Sequence, residues 1–258
     1  MSLGRLGSLM RIESLYARRL WQPLTIYLVL PLVLMAFLQH AILIFLGHLG
    51  YENVNGSELA VPAQTILFAF MFTEHIGIWI FSEHTWGTWN RVRATPASTA
   101  EVLTAKALYW GLYLLGQCAF LLLCGVAIFG LTVDGSLLAL AAVMGMTVLT
   151  AVAFGFCGLA LCGSQAAFDA WTYGGALLMA AIGGAITPQE LLPSWADTLS
   201  PASPIHWCVQ GTTRVILDGG GFGAIARPCL MLAAFTVGFL LVGLWRFDPA
   251  ARKVGRTK

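Results

Sequence analysis

FSEHTWGTWNRVRATPAST, residues 81–99, is the most polar stretch in the first half of the chain, and long apolar runs flank it. It holds Glu83, His84, Arg91 and Arg93, the tryptophans Trp86 and Trp89, and a Thr95-Pro96 break. Its surroundings decide how it is read. Of 258 residues, 58% are hydrophobic and only 10% charged, against about 25% charged in an average soluble domain. Mean hydropathy is +0.79. A soluble fold of this size cannot hide so much apolar surface, so the class is an all-α polytopic membrane protein.

A hydrocarbon core about 30 Å thick needs roughly 20 apolar residues of helix. Six runs qualify, at 24–46, 60–81, 103–131, 136–162, 167–187 and 227–246. None alternates as a β-barrel strand would. The chain is read as one transmembrane domain, 1–258. Orientation follows from Lys and Arg. With an N-terminus inside and six spans, twelve basic residues fall inside (Arg5, Arg11, Arg18, Arg19, Arg91, Arg93, Lys106, Arg246, Arg252, Lys253, Arg256, Lys258), and only Arg214 and Arg227 fall outside. Glu52, Glu58, Asp134, Glu190, Asp197 and Asp218 also fall outside. The expected topology has both termini in the cytoplasm, in an inner or plasma membrane. Lys106 is expected to snorkel to the inner surface.

Residues 1–22 lack the short apolar core of a signal peptide. Leu9, Ile12, Tyr16 and Leu20 form one helical stripe among basic residues, which predicts an amphipathic helix at the interface. The stretch 188–226 carries Leu191, Leu192, Trp195, Leu199, Ile205 and Trp207 among prolines, which predicts short interfacial or re-entrant helices in an outer loop ending in a flexible Gly219-Gly220-Gly221. Ala176, Ala180 and Gly184, and Ala151 and Gly155, form small-residue stripes suited to close helix contacts. The six cysteines form no C-x-x-C pair and read as small buried hydrophobes.

The chain has no G-x-x-x-x-G-K-S/T motif, hence no P-loop of its own. H-E-x-x-H is also missing. No catalytic site, metal or nucleic-acid partner is expected. Two acid–histidine pairs stand out, Glu74-His75 and Glu83-His84. Nine residues apart on a straight helix, they would face opposite sides, so they would not share a metal. Glu74 lies within a span, where a carboxylate is costly unless it faces a cavity or a partner. It reads either as a lining residue of a transport path or as a structural hydrogen bond between helices.

Residues 83–98 therefore form a Trp-anchored element between the second and third spans. Glu83, Gly87, Thr88, Arg91, Pro96 and Ser98 read E-x-x-x-G-T-x-x-R-x-x-x-x-P-x-S. This resembles the type-2 ABC exporter permease family, in which a similar segment after the second span is the cytoplasmic coupling helix. Pro188, Leu192, Pro193, Trp195, Ser203 and Pro204 match the family's last outer loop. Asn90 departs from it, since many relatives carry an acid before the arginine. The resemblance implies a half-transporter: a permease exporting an amphipathic drug, antibiotic or lipid-like substrate, paired with a second permease copy in a homodimer or heterodimer. A separate ABC ATPase subunit would bind ATP and Mg. Glu83, Gly87, Thr88, Arg91, Arg93 and Pro96 would couple to that ATPase, and Glu74 would belong to the path. The other readings are a membrane scaffold, or an intramembrane enzyme using Glu74 and His75.

Overall fold

The computed structural model describes residues 3–19, 21–51, 54–89, 94–95, 98–246 and 253–255. Every named element among them is helical. In chain order they are α1 (Leu3–Arg19), α2 (Trp21–His48), α3 (Ser57–Met71), α4 (Glu74–Thr85), α5 (Thr99–Phe129), α6 (Leu137–Leu161), α7 (Gln165–Asp169), a π-helical turn (Ala170–Gly174), α8 (Gly175–Gly183), α9 (Ser194–Leu199), α10 (Pro204–Ile216) and α11 (Phe222–Arg246). Among the described residues, five stretches are long and apolar enough to cross a membrane: Leu24–His48, Ser57–Thr85, Thr99–Phe129, Leu137–Leu161 and Phe222–Arg246. At about 1.5 Å per residue each spans the bilayer core with length to spare.

The second of these is the axis of the bundle. In its most apolar window 83% of residues are buried, against 17% in α2 and in α11. A helix buried on all sides belongs at the centre, while α2, α5 and α11 carry outward Phe37, Leu112, Leu123, Leu241 and Leu244. The central span is also broken. Thr73 turns its hydroxyl back onto the Phe70 carbonyl at 2.7 Å, a side-chain bond that competes with the helical ladder. α4 then restarts at Glu74. Phe72 fills the break, stacked on His75 (4.7 Å between centroids) and Tyr113 (5.3 Å), with Tyr27 edge-on at 5.5 Å.

The run expected at 167–187 is not one of the five long helices. Its helical stretch starts at Gln165, widens into the π turn, and stops at Gly184, where φ is 88°. The wide turn accommodates Trp171, whose indole lies against Gly158 and donates to the Phe154 carbonyl at 3.2 Å. Ala176 and Ala180 are fully buried beneath α10.

Two loop ends are held by backbone bonds. The Gly219–Gly221 turn, expected to be flexible, is held: Gly220 N donates to Arg214 O (2.8 Å), Asp134 N to Ile216 O (3.2 Å), and Ser136 N to Gly220 O (3.4 Å). Gly135 sits against Val215 O and Gly220 O, with no room for a side chain. At the same end Asn55 donates to the carbonyls of Phe129 (3.1 Å) and Gly130 (2.9 Å) and accepts from Gln39 (3.2 Å). The buried Glu58 carboxylate takes the N–H groups of Asn55 (3.2 Å) and Gly56 (2.9 Å) ahead of α3, the favourable place for an anion at a helix start. The opposite end, which we call the basic end, gathers α1, the end of α4, the α6–α7 turn and residues 253–255.

Gly77 of α4 meets the Phe168 ring so closely that a Cβ would overlap it. Overpacking of this kind costs about 1–3 kcal/mol. Gly77→Ala is therefore expected to lower the thermal midpoint of the purified protein. Phe168→Leu added to it should restore part of the loss, as the paired thermal melts would report.

Candidate functional site

The basic end is built around one cation. Lys106 lies on the inward stripe of α5, in line with Val102, Trp110, Leu114, Cys118 and Leu121. Its ammonium donates to Glu13 Oε1 at 2.7 Å and to Glu83 Oε1 at 3.0 Å. Trp110, one turn on, donates its indole N–H to Glu13 Oε2 at 3.0 Å. All three charged residues are buried. Lys106 therefore does not snorkel to the surface: two carboxylates from other helices satisfy it inside the bundle.

This cluster fixes the face of α1. Glu13 and Ala17 are buried, whereas Ile12 and Leu15 are about half exposed. The inward face runs through Glu13 and Ala17, with Tyr16 beside them, while Ile12 of the apolar stripe points outward; Leu20 lies outside the described residues. Tyr16 completes the joint, stacked on Trp79 of α4 at 4.2 Å. α1, α4 and α5 thus meet at one buried ion cluster and one aromatic stack.

Glu83 stands near the end of α4. Gly87 follows with φ 70°, a left-handed stop that suits glycine. The Thr88 hydroxyl donates to the Glu83 carbonyl at 3.2 Å. Trp89 is buried and stacked on His84 at 4.9 Å, while Trp86 is 63% exposed. Of the two tryptophans expected to anchor the segment at the bilayer, Trp89 is buried in the protein and Trp86 is exposed. The structure thus brings Glu83, Gly87 and Thr88 together at the foot of α4, with Glu83 pointing inward. Arg91, Arg93 and Pro96 lie outside the described residues. Beyond them, Ser98 and Glu101 cap α5 reciprocally, at 2.9 and 3.2 Å.

Residues 253–255 add a strap that the sequence did not reveal. The buried Lys253 ammonium donates to the carbonyls of Leu159 (2.6 Å) and Cys162 (3.0 Å) at the end of α6, the favourable place for a cation on a helix. Burial pushes its pKa below the usual lysine value. Val254 pairs with Gly163 (3.0 Å) and Gln165 (2.9 Å) through its backbone. Gly255 packs against Thr85 and the Phe81 carbonyl. The strap joins the foot of α4 to the α6–α7 turn.

The break at Phe72–Thr73 separates a second polar cluster from the first. Glu74 opens α4, with His75 Nδ1 3.5 Å from its Oε2. Tyr173, carried by the π turn, lies close to Glu74, and its hydroxyl lies 2.8 Å from that of Tyr27 on α2. Asp169 is within electrostatic reach of both tyrosines. The cluster joins α2, α4 and the π turn. π turns often occur at functional positions. Sequence reading singled out Glu74 but not Asp169, Tyr27 or Tyr173, because only the fold brings them together. A carboxylate in the fifth apolar run was the signal available for Asp169. For Lys106 the signal was its place on the inward stripe. No group of three or more His, Cys, Asp or Glu that could hold a metal occurs among the described residues.

A protein-family model described as ABC-2 family transporter protein matches residues 46–245. No curated protein and no solved structure matches the chain.

Removing one member of a buried ion cluster costs about 3–5 kcal/mol because the remaining charges lose their partner. Lys106→Met alone is thus expected to lower the thermal midpoint sharply and broaden the gel-filtration peak. Glu13→Gln, Glu83→Gln and Lys106→Met together remove every charge and should recover most of the stability. A triple variant no better than Lys106→Met would show that the charges are not what holds this joint.

Proposed function

The chain belongs to the ABC-2 family of transporter proteins, and from this premise we propose that it is the permease subunit of an ATP-driven exporter. Membership implies a multi-pass membrane protein and an ABC ATPase partner. The proposal adds the rest. The basic end faces the cytoplasm of an inner or plasma membrane, with both termini inside. The Gln165–Gly183 stretch, 19 residues with its π turn, serves as the sixth crossing. α1 lies in the interface with Ile12 and Leu15 toward lipid. A second permease copy completes the path, and an amphipathic substrate moves outward.

One observation carries the reading: the Glu13–Lys106–Glu83 cluster ties the foot of α4 to α1 and α5 immediately before the 83–98 segment. Mechanical coupling requires an element that receives force and a rigid attachment to the spans. Gly87, Thr88, Arg91, Arg93 and Pro96 belong to the receiving element in this proposal. Glu83 is its positioning residue, turned inward to Lys106. ATP and Mg bind to the separate ATPase, whose closure pushes on the 83–98 segment. The push passes into α4 and α5. Glu74, at the far end of the same helix, and Tyr173 of the π turn beside it belong to the path.

The test is capture of the tagged chain from its native membrane in mild detergent, with the co-purifying proteins identified by mass spectrometry. A stoichiometric soluble ATPase, lost or uncoupled from export in Arg91→Glu, is the expected result. Absence of any ATPase, under conditions that preserve other membrane complexes, would overturn the exporter reading. Undiminished export by Arg91→Glu would overturn the coupling role of the segment. Glu74→Gln is expected to keep ATPase capture while lowering export, which separates path from coupling. Equal export by that variant would remove Glu74 from the path.

A further inference from the structure

At the end opposite the basic one lies a cavity of about 230 Å³ between the end of α2, the start of α3, α10 and the Pro188–Glu190 turn. Its polar side carries Tyr51, Glu190, Gln210, Arg214 and Asp218. Its other side is apolar, with Phe45, Leu46 and Leu59. Drug-sized ligands occupy about 300–1,000 Å³, so this space fits the head of an amphiphile and the first part of its tail.

The polar groups mostly accept hydrogen bonds. Glu190 and Asp218 are carboxylates. Gln210 Oε1 is shielded from solvent and has no hydrogen-bond partner among the described residues. Tyr51 donates its hydroxyl proton to Asp218 Oδ1 at 3.1 Å, turning its oxygen lone pairs and ring toward what remains. The positive member, Arg214, already gives a guanidinium N–H to the Ala224 carbonyl at 3.0 Å. Two negative charges against one leave the lining with a net charge of about −1. Burial, followed by the Asp218 and Glu190 carboxylates, pushes the Tyr51 hydroxyl above its ordinary pKa. An anion would find one guanidinium there and have to approach two carboxylates. An ammonium group, which only donates, matches the two carboxylates and the aromatic ring together.

We propose that this cavity binds the ammonium head of an amphipathic organic cation, with the tail against the Phe45–Leu46 wall, as the release-side site of the exported cargo. That the occupant is cargo rests on the exporter reading; the selectivity for an ammonium does not. It narrows the cargo to a primary or secondary amine with an apolar body. The ethanolamine head of a phospholipid shares the chemistry and is the other source of such an ammonium.

The test is equilibrium binding of radiolabelled n-octylammonium to the purified chain in phosphatidylcholine nanodiscs, with empty nanodiscs subtracted. Saturable binding is expected, unaffected by n-octanol or n-octyl sulfate. Glu190→Gln with Asp218→Asn should weaken it about tenfold or more, and Arg214→Gln, which removes the positive charge, should tighten it. The gain in Arg214→Gln is a result that misfolding cannot produce. Displacement by n-octyl sulfate, or affinities unchanged in both variants, would overturn the site. Loss of n-octylammonium binding in phosphatidylethanolamine nanodiscs would assign the cavity to lipid and overturn its assignment to cargo. Selective binding by a chain that captures no ATPase would overturn the exporter reading and leave the ammonium site standing. ATPase capture and export without selective binding would do the reverse.

Discussion

A lysine buried among apolar helices has to be neutralised where it stands, and Lys106 is neutralised by two carboxylates from different parts of the chain. Glu13 comes from before the first long helix and Glu83 from the foot of the central span. In a low-dielectric interior none of these charges is cheap to expose alone. The three elements therefore keep one relative placement or lose the cluster entirely. Ridges packed into grooves permit small sliding, but a charge held at 2.7 and 3.0 Å does not. The rest of the basic end is arranged around that constraint. The Tyr16–Trp79 stack closes the α1 side, and Trp110 takes the second oxygen of Glu13. The Lys253 strap satisfies the open carbonyls of α6 next to the same α4 foot.

The constraint also explains which parts of the fold were legible in the sequence. Apolar runs at 24–46, 103–131, 136–162 and 227–246 lie within a few residues of α2, α5, α6 and α11, because long lipid-facing helices are written in composition alone. The break in the central span was not, since residues 60–81 stay apolar across Phe72 and Thr73. Nothing in hydropathy distinguishes a hydroxyl bonded to water from one turned back onto Phe70 O. The run at 167–187 was harder still: a π turn changes the rotation of the helix without changing its composition.

The site was legible by halves. Glu83, Gly87 and Thr88 were picked out by pattern, and the fold does place them together. Their directions were not legible. Glu83 and Trp89 read as groups turned toward a partner or the bilayer, yet both face the protein, Glu83 to reach Lys106 and Trp89 to stack on His84. The missing information is a pairing across more than 90 positions between Glu13 and Lys106, which no local spacing records. The basic residues counted for orientation included two, Lys106 and Lys253, that are buried and bonded within the protein. The asymmetry of the other twelve, ten against two, is unchanged by that.

α4 is where the two polar clusters become one device. It is a 12-residue helix with Glu74 at its first position and Glu83 near its last, about 13 Å apart along a rigid rod. Its upper end meets α3 at Phe72–Thr73, where the ladder tightens to i→i+3 bonds (Thr73 N to Phe70 O, 3.2 Å; His75 N to Phe72 O, 3.0 Å), and α3 above is buried on every side. Its lower end is clamped to α1 and α5 by Lys106. A displacement of the foot in the proposed cycle cannot be absorbed within α4, and the packed surroundings of α3 resist passing it on. In that proposal it is resolved at Phe72–Thr73, where Glu74 lies close to Tyr173 and, through it, Tyr27 of α2. The π turn that carries Tyr173 faces that point. Under the proposed coupling, the α3–α4 junction, the π turn and the buried carboxylate coincide because the place where a stiff rod ends is where its motion changes the surroundings of a polar group.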